Sequence, residues 1–280
     1  MEAFRPSRTA QGAAMHRAAH QLLDRPVVFE DPLAIAVIGR KAALELKNGS
    51  DWHGFAAPAL RAFIVARSRY SEDAVADALT RGIAQYVLLG AGLDTYACRT
   101  KTNIRIFEVD HPATQAWKRQ RLAAAGIALP VNLAFAPLDF ERETLETGLA
   151  CAGFDFTRPA MVAWLGVTPY LTRDAIAATL QFLTSSLARR SELIFDYAEP
   201  PDERDPVAKS RFAALAARVA EAGEPFRSFF TAAELHAALH DHGFREWSDL
   251  DTAALNTLYY SARDDGLCIG GHGHLIHVRW

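Results

Sequence analysis

The amino-acid sequence predicts a doubly wound α/β protein with a seven-stranded, mostly parallel sheet. Residues 1–80 carry only helical patterns, seven strand-like runs follow, and helix-length segments separate most of these runs. Strands that alternate with helices are typical of βαβ units, in which crossover helices join parallel strands. A chain of 280 residues suits one such domain with room for an insertion.

Composition and charge exclude several classes of protein. Half of the residues are hydrophobic and 22% are charged, which excludes a disordered or low-complexity chain. The 30 basic and 33 acidic residues give a net charge of −3, without the basic cluster that nucleic acid requires. Three scattered cysteines and no long apolar stretch predict a soluble, cytoplasmic protein. We therefore expect neither nucleic acid nor a membrane as partner, and the oligomeric state stays open.

The N-terminal region is predicted to form a helical cap. Asp31 and Pro32 predict a helix start, because aspartate is a preferred N-cap and proline fits the first helical position. Residues 59–79 repeat apolar side chains at helical spacing.

The core is predicted to begin at residue 85. The predicted strands are residues 85–90, 104–110, 131–138, 160–165, 192–197, 244–250 and 273–280. The first is an apolar run that ends in glycine, as expected for a strand buried on both faces. Pro112 opens a helix to about residue 125, and Thr172 caps a helix to about residue 188.

A break in this alternation predicts an inserted helical lid at 198–230. A proline-rich breaker at 199–203 precedes an alanine-rich helix at about 207–222. Thr231 and Glu234 then form a capping box for a helix that Gly243 ends. The predicted organisation is one domain over 1–280: cap 1–80, core 81–197, lid 198–230 and end of the core 231–280.

The first strand-to-helix turn carries the sharpest chemical signal. Gly90 and Gly92 allow a tight turn and close approach to a ligand, and Asp110 ends the next strand. A carboxylate there can accept hydrogen bonds from both hydroxyls of a ribose, so the pattern predicts a nucleoside-containing cofactor. The alternative is a plain turn followed by an acidic helix cap.

The same turn favours S-adenosylmethionine over NAD. Thr95 stands where the dinucleotide fingerprint requires glycine or alanine, and Asp94 places a negative charge where a pyrophosphate would bind. A sulfonium ligand has no such charge conflict.

Several ordered motifs resemble those of class I S-adenosylmethionine-dependent methyltransferases of the leucine carboxyl methyltransferase type, in the bacterial small-molecule O-methyltransferase branch. The motifs are PSRTA at 6–10, FEDPLA at 29–34, ARSR at 66–69, GAGLDT at 90–95, FEVDHP at 107–112, PLDF at 137–140, VTPYL at 167–171 and the terminal segment 263–280. The resemblance covers essentially the whole chain and implies a Rossmann-like sheet.

The resemblance also implies cofactor-binding roles for named residues. Arg67 would pair with the methionyl carboxylate, and Gly90 and Gly92 would line the methionine and ribose. Asp110 would hold the ribose hydroxyls. The adenine contacts would come from Asp139, which accepts from the amino group, and from Phe140, which packs against the ring.

Two positions depart from the family pattern. Leu165 stands where members usually carry a glutamate that helps to hold the methionine end, and Tyr96 replaces a usual arginine. The loss of the glutamate predicts an altered pocket near the methionine end.

The predicted reaction is methyl transfer to an oxygen of a small-molecule acceptor, either a carboxylate or a phenol. A carboxylate is ionised at pH 7, whereas a phenol needs a base. His111, beside Asp110, is the candidate base, and Tyr170 is the candidate substrate-facing hydroxyl. The alternatives are a protein C-terminal carboxyl methyltransferase, a non-catalytic binding protein and an NAD-dependent oxidoreductase. No metal is expected, because His274 and His277 fall on opposite faces of the last strand.

Overall fold

A computed structural model of the chain describes residues 7–48, 57–139, 143–201, 206–221 and 223–280. Among these residues, seven strands form one sheet, in agreement with the sequence-based prediction. The strands are β1 (Gln85–Leu89), β2 (Arg105–Asp110), β3 (Leu133–Pro137), β4 (Met161–Trp164), β5 (Glu192–Ala198), β6 (Glu246–Leu250) and β7 (Gly273–Arg279). Each lies within one residue of a predicted run or inside it.

Helices cover both faces of the sheet and form the N-terminal region. They are α1 (Arg8–Leu23), α2 (Ala34–Ile38), α3 (Arg40–Lys47), α4 (Pro58–Thr80), α5 (Tyr96–Arg99), α6 (Pro112–Ala124), α7 (Leu145–Cys151), α8 (Arg173–Ser186), α9 (Pro206–Glu221), α10 (Ala232–Asp241) and α11 (Thr252–Tyr259). No helix in the described ranges is long and apolar enough to cross a membrane.

The order of the strands places a switch point in the middle of the sheet. The order is β3-β2-β1-β4-β5-β7-β6, and only β7 runs antiparallel to its neighbours. The chain winds from β1 toward β3 on one side, then returns to place β4 on the other side of β1. Ligands of doubly wound sheets bind outside the carboxyl ends of the strands at such a point.

Burial explains why the central strands could be predicted from apolar runs. All five residues of β1 are buried, as are all four of β4. Leucines of α7, α8 and α10 pack on one face of the sheet, and α4, α5 and α11 pack on the other. A third cluster joins α1, α2 and α3 to α6. Parallel strands covered by helices on both faces lose the polar alternation of exposed strands.

The helix-start signals are confirmed at three of the four predicted positions, and Pro112 is the first residue of α6. Thr172 caps α8, and Thr231 forms the predicted capping box with Glu234 at the start of α10. The prediction at Asp31 and Pro32 is wrong in detail, because α2 begins at Ala34. The fully buried Asp31 carboxylate instead accepts from Leu33 N at 3.2 Å and from Arg17 Nε at 3.3 Å. Asp31 therefore forms an ion pair with Arg17 of another helix and is not the N-cap of α2.

Buried arginines hold the N-terminal helices to each other and to the turn after β1. Arg17 of α1 donates to the carbonyl oxygen of Leu93, in the turn after β1, at 2.6 Å. Arg61 of α4 donates from Nε and Nη2 to the two oxygens of Asp24, both at 2.8 Å. His20 Nδ1 lies 2.7 Å from the same carboxylate. The boundaries predicted for cap, core and lid are not tested by these contacts and stay predictions.

We expect Asp24→Ala to lower the free energy of unfolding by about 3 kcal/mol or more, since breaking a buried ion pair leaves a buried charge uncompensated. Urea denaturation with linear extrapolation measures this change. Asp73→Ala is the control, because Asp73 also accepts from an arginine, Arg69, at 2.8 and 2.9 Å, but both side chains are about half exposed. Its expected loss is below about 1 kcal/mol. Equal losses in the two variants would contradict the structural role of the buried pair.

Candidate active site

A cavity of about 2280 Å³ lies at the carboxyl ends of the central strands. The turn after β1, the end of β2 and the segment after β4 form its floor, and α1, α4 and α9 contribute walls. Seven of the eight predicted site residues line it: Arg67, Gly90, Gly92, Asp110, His111, Asp139 and Tyr170. Phe140, the eighth, lies outside the described residues.

The glycine turn after β1 is packed on both sides. Gly90 and Gly92 have φ angles of +70° and +50°. A Cβ on Gly90 would overlap the side chain of Val167, and a Cβ on Gly92 would lie 2.9 Å from the Cβ of Ala10 in α1. The turn therefore requires glycine, and it brings the backbone to the cavity surface.

Asp110 fixes this turn to the end of β2. Its Oδ2 accepts from Gly92 N at 2.6 Å, and its Oδ1 accepts from His111 N at 2.7 Å. The residue is 9% exposed. Burial raises the pKa of Asp110 above its usual value, and the two backbone hydrogen bonds oppose the increase. The carboxylate is thus held rigidly at the cavity wall, where it can accept hydroxyl hydrogen bonds.

His111 is engaged as a helix cap. Its Nδ1 accepts from Ala113 N at 3.2 Å, at the start of α6. A neutral ring that accepts at Nδ1 carries its proton on Nε2, so the ring has no acceptor left while the cap is intact. This geometry opposes the role of a general base.

Tyr170 belongs to an aromatic cluster that lines the cavity. It ends a short 3-10 turn, Thr168–Tyr170, that follows β4. Its ring stacks on Phe226 at 5.4 Å, and Phe226 stacks on Phe212 of α9 at 5.8 Å. Burial raises the pKa of Tyr170 well above its usual value. The hydroxyl therefore stays protonated near neutral pH and can donate, but it is unsuited to accept a proton.

Three features of the cavity were missed by the sequence analysis. Asp196, near the carboxyl end of β5, pairs with Arg67 through a 2.6 Å bond from Nη1 to Oδ2. His16 of α1 lines the cavity, and burial, with the charges of Arg61, Arg67 and Arg218, lowers its pKa to about 3. The third is the contact that closes the cavity at the N-terminal end of α1, where Thr9 N donates to Glu224 Oε2 at 2.9 Å. An acid at the end of a strand was a signal for Asp196, as it was for Asp110.

Leu165 lies in the cavity wall next to Gly166. Gly166 N donates to Asp196 Oδ1 of the neighbouring strand β5 at 2.5 Å, and Gly166 packs against the guanidinium of Arg67. The wall therefore keeps a carboxylate, although it comes from a different strand.

The chain matches the family model of leucine carboxyl methyltransferase over residues 10–184. This range includes most of α1, all of α4, the glycine turn, Asp110, Asp139 and Tyr170. The match therefore covers the elements that build the cavity floor.

Two relatives of known sequence extend this likeness. The chain is 31% identical to YktD of Bacillus subtilis, provisionally named an S-adenosyl-L-methionine-dependent methyltransferase, over 97% of each chain. It is 32% identical to a protein of Mycolicibacterium paratuberculosis with the same provisional name, over 74% of this chain and 70% of that protein.

Solved structures agree in fold. A provisionally named methyltransferase from Thermobifida fusca superposes with a TM-score of 0.59 at 19% identity, covering 98% of this chain and 95% of the other. A DUF574 family protein from Streptomyces avermitilis gives 0.55 at 16% identity, covering 98% and 97%. With a family model that spans most of the chain and a relative of 31% identity along nearly its full length, this chain belongs to the leucine carboxyl methyltransferase family.

Proposed function

We propose that this protein transfers a methyl group from S-adenosylmethionine to an oxygen atom of a small organic acceptor. The observation that carries the proposal is the arrangement around Asp110: a rigid carboxylate beside a glycine turn, in the cavity that also holds Arg67. The names of the bacterial and mycobacterial relatives support the choice of cofactor.

The residues present fit this cofactor. Gly90 and Gly92 adopt φ angles of +70° and +50°, and this turn brings its backbone to the cavity surface, where a ligand can approach it. Asp110 would accept from the ribose hydroxyls, and Arg67 would donate to the methionyl carboxylate. Asp139 lines the same cavity, where it would accept from the adenine amino group. Asp94 also lines the cavity and would oppose a pyrophosphate.

The chemistry asks little of the protein beyond alignment and exclusion of water. S-adenosylmethionine supplies a methyl group bonded to a positively charged sulfur. The chain's own residues hold the two reactants in line, and the contact between Thr9 and Glu224 closes one side of the cavity.

A carboxylate is the acceptor that best suits the side chains in the cavity. Tyr170 is a protonated phenol near neutral pH, His16 is neutral, and Nδ1 of His111 is engaged as a cap. None of these three groups serves readily as a base. A carboxylate acceptor needs none, because it is already ionised at pH 7.

We expect Asp110→Ala to weaken binding of S-adenosylmethionine by roughly 2 kcal/mol, or about thirtyfold, since the ribose hydroxyls lose a charged acceptor. Calorimetric titration measures this change, and adenosine should lose as much because it carries the same ribose. NAD should bind neither form. Wild-type affinity in a folded Asp110→Ala variant would remove the ribose assignment, and tight NAD binding would favour an oxidoreductase.

The pH dependence of turnover tests the acceptor. A screen of carboxylic acids and phenols, read out by formation of S-adenosylhomocysteine, identifies a working acceptor. With a carboxylate, kcat should stay nearly flat from about pH 6 to 9, because an acceptor pKa near 4 leaves it ionised throughout. A kcat that rises with pH would indicate a phenol and a base.

His111→Ala provides the matching mutational test. We expect kcat to stay within about tenfold of wild type, with a stability loss of about 1 kcal/mol from the missing helix cap. A loss of about a hundredfold or more in kcat, with cofactor affinity intact, would contradict the base-free mechanism.

A further inference from the structure

An ion pair in the cavity wall joins two residues that are distant in sequence. Arg67 Nη1 donates to Asp196 Oδ2 at 2.6 Å, and Asp196 Oδ1 accepts from Gly166 N at 2.5 Å. The Arg67 side chain is 12% exposed and that of Asp196 is 4% exposed. Both residues line the cavity. The carboxylate therefore connects α4 to the ends of β4 and β5.

The guanidinium of Arg67 is confined on three sides. Asp196 holds Nη1, and the ring of Phe63 lies 5.9 Å from Cζ. Gly166, at φ +71°, closes the third side, where a Cβ would lie 2.5 Å from Nη2. A long, flexible side chain is thus reduced to one orientation.

This confinement has a consequence for ligand binding. A guanidinium has five N–H donors in a fixed plane, and Asp196 accepts from one of them, at Nη1. The remaining donors can form two parallel hydrogen bonds with a second carboxylate when the guanidinium plane already faces it. Without Asp196 the side chain would lose rotamer entropy each time a ligand binds.

We propose that Asp196 is a positioning residue for the cofactor, which orients Arg67 so that the guanidinium meets the methionyl carboxylate. The inference rests on the proposed function, since it concerns the same cavity and the same cofactor. Asp196 acts through Arg67, because both of its oxygens are engaged by Arg67 and by the Gly166 backbone.

Decarboxylated S-adenosylmethionine separates this role from a merely structural ion pair. That ligand keeps the adenine, the ribose, the sulfonium and the ammonium, but it lacks the carboxylate that Arg67 would bind. A variant that damages the cavity in general weakens both ligands. A variant that only disorients Arg67 weakens S-adenosylmethionine alone.

The experiment measures the dissociation constants of both ligands for wild type, Arg67→Ala, Asp196→Asn and the double variant. Asp196→Asn should weaken S-adenosylmethionine by about tenfold or more, the loss expected for a charge-assisted bond. Decarboxylated S-adenosylmethionine should change by less than about threefold. The double variant should match Arg67→Ala, because Asp196 has no effect once the guanidinium is gone.

Three results would overturn the proposal: unchanged affinity in a folded Asp196→Asn variant, equal losses for both ligands, or a loss that adds in full to that of Arg67→Ala. Failure of the proposed function has a different signature. A wild-type protein that binds neither ligand, or an Arg67→Ala variant that loses both equally, removes the assigned role of Arg67 itself and this inference with it.

Gly166→Ala tests the same orientation if Asp196→Asn does not fold. It keeps both charges but places a methyl group against Nη2 of Arg67. The same selective loss of S-adenosylmethionine is expected. Equal weakening of both ligands by this variant would count against the positioning role.

Discussion

The cavity depends on one carboxylate, that of Asp110, which joins the ends of two strands through hydrogen bonds. Parallel strands β1 and β2 end at the same edge of the sheet, where backbone N–H groups have no further ladder partner. Asp110 accepts from two of these groups, at Gly92 and His111. Gly90 N adds a 2.8 Å bond to the carbonyl of Val109. The turn is therefore rigid before any ligand binds, which lowers the ordering cost of binding.

The sequence was most informative where one local property decides the structure. Apolar runs predict the strands because both faces of β1 and β4 are covered. The capping box at Thr231 predicts α10 because the reciprocal bonds lie within one turn. Asp110 could be found because its glycine partner lies in the adjoining βα turn.

Non-local contacts explain what could not be predicted. Asp31 has the sequence pattern of a helix cap, but its carboxylate pairs with Arg17 in another helix. Asp196 lies 129 residues from Arg67, and only the sheet order brings them together. The short helix α5, Tyr96–Arg99, has one turn and carries no periodic pattern. The roles of Arg67, Asp139 and Phe140 toward a ligand likewise come from the family resemblance, not from spacing.

The contact between Thr9 and Glu224 also affects when the cavity can close during synthesis. The two residues are 215 positions apart, so the first turn of α1 must wait for its partner to leave the ribosome. At about 5–20 residues per second, the wait lasts roughly 10–40 s. The side of the cavity that Thr9 and Glu224 close in the folded protein therefore stays open until about four-fifths of the chain has been made.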